Sequence, residues 1–141
     1  MAQADVPGGR GQPSAEVPVP EVLAEIEQLL GPGQGAGGVL WKLAEPGRQL
    51  DANLVHLAAD QHVPAHAEPD VDVLLLVVRG AGVLRSDHVP GRELTEGTVL
   101  WLPRGSTRSI TARDEGLSYF TAHMRRPGLQ IGLDRTGSSP A

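Results

Sequence analysis

Hydrophobic positions along this chain follow two periods. Between residues 20 and 30, Val22, Leu23, Ile26, Leu29 and Leu30 recur at helical spacing. Pro20 suits a first-turn position, and Gly31-Pro32 stops the run. The pattern predicts an amphipathic helix over residues 20–30 whose apolar face covers a sheet or a dimer contact. From residue 39 onward the period shortens. Apolar runs at 39–43, 50–57, 71–78, 81–85, 92–95, 98–102, 107–111 and 117–124 alternate with turn signals at Pro46-Gly47, Gly80, Pro90-Gly91 and Pro103-Arg104-Gly105. Short strands punctuated in this way predict an antiparallel sandwich or barrel. The most apolar run, 71–78, is built mainly of Val and Leu and ends at a turn glycine, so it reads as a core strand. Val73, Leu75 and Val77 then face one way, Leu74, Leu76 and Val78 the other, with both sets expected to be buried. Leu129, Ile131 and Leu133 also alternate and would add an edge strand.

Composition narrows the class. A chain of 141 residues is long enough for one domain with a single core. The 18 Gly and 12 Pro favour many turns over a helical bundle. Residues 1–19 are rich in Pro, Gly, Ala and Gln and read as a disordered tail. Residues 20–38 form the helix and a glycine-rich linker, 39–126 the β-domain, and 127–141 a C-terminal tail. The net charge of −5 and the lack of a basic patch with interleaved aromatics argue against a nucleic-acid partner. No apolar stretch approaches the roughly 18 residues needed to span a membrane. The N-terminus has no apolar segment of the kind a secretory signal carries. There are no cysteines, hence no disulfides and no thiolate ligands. These features predict a cytoplasmic protein.

Candidate chemistry gathers just before the core strand, in His62, His66, Glu68, Asp70 and Asp72. His66 and Glu68 are two apart and share a strand face. His62 and Asp70 have the same parity, but positions four apart on a strand are separated by roughly 13 Å, so all four reach one point only if Pro64 and Pro69 bend the chain. Asp72 reads as a solvated or capping carboxylate. In the last run Tyr119, Thr121 and His123 lie on one face, while His56 reads as a structural histidine. Trp101 reads as core or cavity wall, and Arg125 and Arg126 as the solvated end of the strand.

The turn framework resembles that of the cupin superfamily, in particular its small single-domain members. Gly97, five residues, Pro103-Arg104-Gly105, two residues and Arg108 follow the second half of the family signature, with Arg108 where the family has His. Counting back from Gly80 through the first half puts His66 and Glu68 in the two His places and Val73 in the Glu place. The resemblance covers residues 39–125. It implies an all-β fold, a double-stranded β-helix or jelly-roll barrel of six to eight strands. Metal-bearing members use three His and one Glu on a transition metal. Here Val73 cannot ligate, and the permanently cationic Arg108 would repel a metal.

The reading that follows is a bacterial-type cupin that binds a small polar or anionic molecule, in a sensing or accessory role. His66, Glu68, Arg108, Tyr119 and His123 would line the ligand site, Arg108 pairing with Glu68 directly or through a bound anion. No cofactor is favoured. A rival from another class is a metal-dependent enzyme, an oxygenase or isomerase, holding a divalent transition metal on His62, His66, Glu68 and His123. A third is a ligand-free barrel serving as a dimerising partner. The resemblance also implies a homodimer.

Overall fold

A computed structural model describes residues 17–32 and 35–126. Residues 1–16 of the tail expected at 1–19, the tail expected at 127–141 and the alternating Leu129, Ile131 and Leu133 within it lie outside the described residues. The domain is almost entirely antiparallel sheet. Its elements are α1 (Ile26–Leu30), β1 (Gly38–Lys42), β2 (Leu50–Leu57), β3 (His62–Ala67), β4 (Val73–Ser86), β5 (Val89–Thr95), β6 (Val99–Leu102) and β7 (Thr107–Met124).

Two long strands organise the molecule. β4 and β7 pair with each other in two stretches: residues 74–80 lie against 117–122, and residues 82–85 against 109–112. Around the first stretch, β2 and then β1 extend the sheet on the β7 side and β6 on the β4 side. Around the second, β3 joins β7 and β5 joins β4. The result is two layers sharing two bent strands, a jelly-roll arrangement in which the hydrogen-bonded ring does not close. One core fills the space between the layers. Val55, Leu75, Val77 and Leu117 reach it from one side, and Leu84, Leu94 and Ile110 from the other. Burying a shared apolar interior between two sheet layers is what stabilises such a fold.

Glycine decides where the long strands change layer. Gly80 and Gly116 both have positive φ, 83° and 81°, and a Cβ on Gly80 would stand 2.1 Å from the Gly116 carbonyl oxygen. Only glycine at both positions allows the two backbones to cross this closely. The sequence pattern reads each long strand as two, because a turn glycine and a bend glycine look alike from composition alone.

Three expectations need correction. The helix spans only Ile26–Leu30, because Glu25 is extended and caps nothing with its side chain, and Val22 is 79% exposed among the described residues. What holds the short helix is Arg79, which donates to the Gly31 carbonyl at 3.0 Å and pairs with Glu27 at 3.1 Å. The run 71–78 is buried on one side only: Val73, Leu75 and Val77 are enclosed, whereas Leu74 and Leu76 are 52% and 38% exposed. Their face points away from the core, and α1 roofs the sheet elsewhere. Trp101, paired with Leu74 across β6, lies on that same outer face and is 67% exposed, so it is neither core nor cavity wall.

Candidate functional site

The site grows out of the inward face of β3 and β7. His66 stands directly opposite Arg108 in the β3–β7 register, so both side chains leave the sheet on the same side. A register shift between Val63 and His66 re-aims this end of β3. In the facing layer Val77 and Val55 both oppose Tyr119, and Leu75 and Asn53 oppose Thr121, so Tyr119 and Thr121 point inward with the core residues. Arg108, Tyr119 and Thr121 are 1%, 1% and 0% exposed.

Arg108 is the unusual member. Its guanidinium is the largest fully enclosed side chain of the described residues, yet its polar contact is a single 3.3 Å hydrogen bond from Nη1 to the Ser106 carbonyl. Nε and Nη2 have no partner among the described residues. Burial draws this guanidinium below its ordinary range, and the charge of Glu68, with Tyr119 behind it, opposes that shift. It stays cationic at any physiological pH. Tyr119, pushed up to about 12 by burial against the opposing charge of Arg108, is a neutral phenol there.

The direct Arg108–Glu68 pair expected from the spacing does not form. Glu68 sits at the end of β3 and pairs with Arg126 at 2.6 Å, while its second oxygen accepts from the Asp70 N–H at 3.3 Å. Arg126, read from sequence as a solvated strand end, is therefore a half-buried partner. No local pattern signals a contact between residues 58 apart in sequence. Two further polar atoms inside the fold lack partners among the described residues, Nε2 of His66 and Oγ1 of Thr121. His66 Nδ1 donates to the Pro64 carbonyl at 3.0 Å. His123 is buried on the same parity as Thr121, with its Nδ1 donating to the Met124 carbonyl at 2.7 Å. Thus His66, Arg108, Tyr119 and Thr121 share the interior, with Glu68 paired to Arg126 and His123 bonded to its own strand end.

Residues outside this group have plain roles. Asp72 caps the Pro103-Arg104-Gly105 turn, accepting from the Arg104 backbone N–H at 2.8 Å. His56 points to the opposite face of its sheet and shares a 2.8 Å hydrogen bond with Ser118. His62 is exposed and opposes Thr111, whereas its neighbour Val63 opposes the core residue Ile110. His62 therefore faces away from His66.

No protein-family model and no curated protein sequence matches the chain. Solved structures do. The cupin domain of Schizosaccharomyces pombe Cnp3 superposes with a TM-score of 0.54 at 16% identity, over 61% of this chain and 63% of that domain. A cupin superfamily protein from Desulfitobacterium hafniense DCB-2 gives 0.55 at 19%, over 65% and 82%. A sugar phosphate isomerase from a cupin superfamily, from Silicibacter pomeroyi, gives 0.52 at 23%, over 57% and 53%. The fold is the cupin fold. This chain spans less than two thirds of the Cnp3 domain and of the isomerase, and the likeness is one of architecture.

Cupins that carry a metal hold it with imidazole and carboxylate donors, and the residues here do not fit one. Val73, in the place of the metal-binding Glu, is fully enclosed in the apolar core. Arg108, in the place of a His, puts a buried cation where a metal would sit. Among the described residues no group of three His, Cys, Asp or Glu side chains is placed to share an ion. The rebuilt set His62, His66, Glu68 and His123 is not assembled, because His62 faces outward and Glu68 is engaged by Arg126. Among the described residues no helix is long and apolar enough to cross a membrane.

Proposed function

We propose that this cupin binds a small anionic molecule between its two sheet layers, with Arg108 as the counter-charge, in a sensing or accessory role. One observation carries the reading. A guanidinium 1% exposed keeps Nε–H and Nη2–H donors without partners among the described residues. Leaving a buried charge uncompensated is costly, and folds retain such groups chiefly where a ligand completes them. Glu68, the carboxylate whose charge acts on Arg108, is held by Arg126 and leaves that role open. His66, which faces Arg108 across the β3–β7 pair, and Tyr119, whose pKa feels its charge, would supply polar contacts to the anion, with Thr121, His123 and Glu68 as further candidates.

Thermal melts in millimolar phosphate, sulfate, acetate and lactate test this. At least one anion is expected to raise the wild-type melting temperature, by mass action on the folded state. Arg108→Met is expected to abolish that rise. The reading is wrong if no anion stabilises the wild type, or if Arg108→Met responds equally.

A further inference from the structure

We infer that the anion is a small hydroxycarboxylic acid, its carboxylate lying side-on against Arg108 and its hydroxyl meeting His66. The inference rests on the binding role proposed above and names its ligand class. Nη1 of Arg108 is occupied by the Ser106 carbonyl, which leaves Nε and Nη2. Those two N–H groups lie along one edge of the planar guanidinium and point the same way. Parallel donors of this kind match the two oxygens of a carboxylate. The single net cation also sets the ligand charge. The Glu68–Arg126 pair neutralises itself, so Arg108 offers one unit of charge, which suits a monoanion better than a phosphate dianion. Phosphate sites usually add a helix N-terminus, and α1, five residues long, supplies none.

The hydroxyl follows from the tautomer of His66. The Pro64 carbonyl can only accept, so Nδ1 of His66 carries the proton of the neutral ring. Nε2 is then a lone-pair acceptor, buried and without a partner among the described residues. An acceptor beside Arg108 calls for an O–H donor on the ligand, which an unsubstituted carboxylate does not have. The Thr121 hydroxyl is also buried and unpartnered among the described residues, and can donate or accept.

Calorimetric titration with glycolate and lactate, their deoxy analogues acetate and propionate, and inorganic phosphate decides it. The hydroxy acids are expected to bind roughly tenfold more tightly than the analogues. Arg108→Lys, which keeps the charge but loses the paired donors, is expected to weaken lactate by roughly tenfold or more. His66→Phe is expected to narrow the affinity gap between each hydroxy acid and its deoxy analogue. If phosphate binds and carboxylates do not, or if Arg108→Lys binds lactate like the wild type, the ligand class is wrong while anion binding stands. If nothing binds, both readings fall.

Discussion

The Glu68 carboxylate meets the Arg126 guanidinium at 2.6 Å and so leaves Arg108, which also feels its charge, without a carboxylate partner among the described residues. The ion pair joins the end of β3 to the residues just past β7, beside the interior that Arg108 and His66 line. Its two members differ in exposure, 13% for the Glu68 side chain and 36% for Arg126. Removing the more exposed Arg126 strands a carboxylate that water reaches poorly.

Arg126→Met and Glu68→Gln are each expected to cost on the order of 1–2 kcal/mol, between the values for exposed and fully buried pairs. The double variant is expected to cost less than the sum, because no orphan charge remains. Denaturant melts of the two singles and the double measure this coupling. The same cycle with Arg108 in place of Arg126 is expected to give a weaker term, since Arg108 acts on Glu68 only through its charge. A stronger Arg108 coupling would show that Arg126 is not the partner in solution.

The same pair carries a pH dependence. Burial by itself would raise the Glu68 carboxyl, but hydrogen bonds from Arg126 and the Asp70 N–H, with the charges of Arg126 and Arg108, hold it below its usual value of 4.5. A carboxyl lower in the folded than in the unfolded state adds stability that is fully present above the unfolded value. That stability is lost as pH falls through the folded value. Wild type is therefore expected to lose more stability than Glu68→Gln between pH about 6 and pH about 3. Parallel pH profiles for the two proteins would remove the carboxylate from the acid response.

Arg108→Met is expected to stabilise the protein in anion-free buffer, by on the order of 1 kcal/mol. An isolated buried cation is replaced by an apolar side chain of similar length, and Glu68 keeps its own partner. Gains of this kind at binding sites are common, because the site residue serves the ligand and not the fold. Chemical denaturation in the absence of phosphate and carboxylates is the measurement. A clear loss of stability would mean that Arg108 is neutralised in the folded protein by a group it does not contact among the described residues.

Much of the fold was legible because turn chemistry is local. Gly97 and Pro103 placed the ends of β6, whereas Gly80 read as a strand end and lies inside β4, and the alternation of Val73, Leu75 and Val77 placed the inner face. The burial of the other face was not legible. Leu74 and Leu76 look like core from their residue types, yet among the described residues they remain exposed on the outer face. For the site, parity put His66 and Glu68 together and the family register brought in Arg108. The partner of Glu68 was invisible, because a contact across 58 residues depends on how the two layers stack. Leu75→Ala is accordingly expected to cost on the order of 2–5 kcal/mol. Leu74→Ala, one residue earlier, is expected to stay within about 0.5 kcal/mol in the monomer. Equal costs in denaturant melts would show the inner and outer faces to be misassigned.

His56 gives the second titration. It lies under the N-terminal segment, on the sheet face away from the Arg108 site, and is bonded to Ser118. Burial first, and the nearby charge of Arg79 second, lower its pKa from the ordinary value of 6.5. The sign for histidine follows from the neutral form being favoured in the fold. At pH values below about 6.5 the unfolded chain binds a proton that the folded chain resists, so stability declines as pH falls from there. The decline levels off once the folded state is protonated too. His56→Gln keeps a polar group for Ser118 and has no proton to gain. Denaturant melts at pH about 7.5 and about 5.5 are expected to show a larger drop for wild type than for His56→Gln. The Glu68 carboxyl, ionised at both values, does not contribute to this interval, so the two titrations separate. An equal drop in both proteins would assign the response in this range to another histidine.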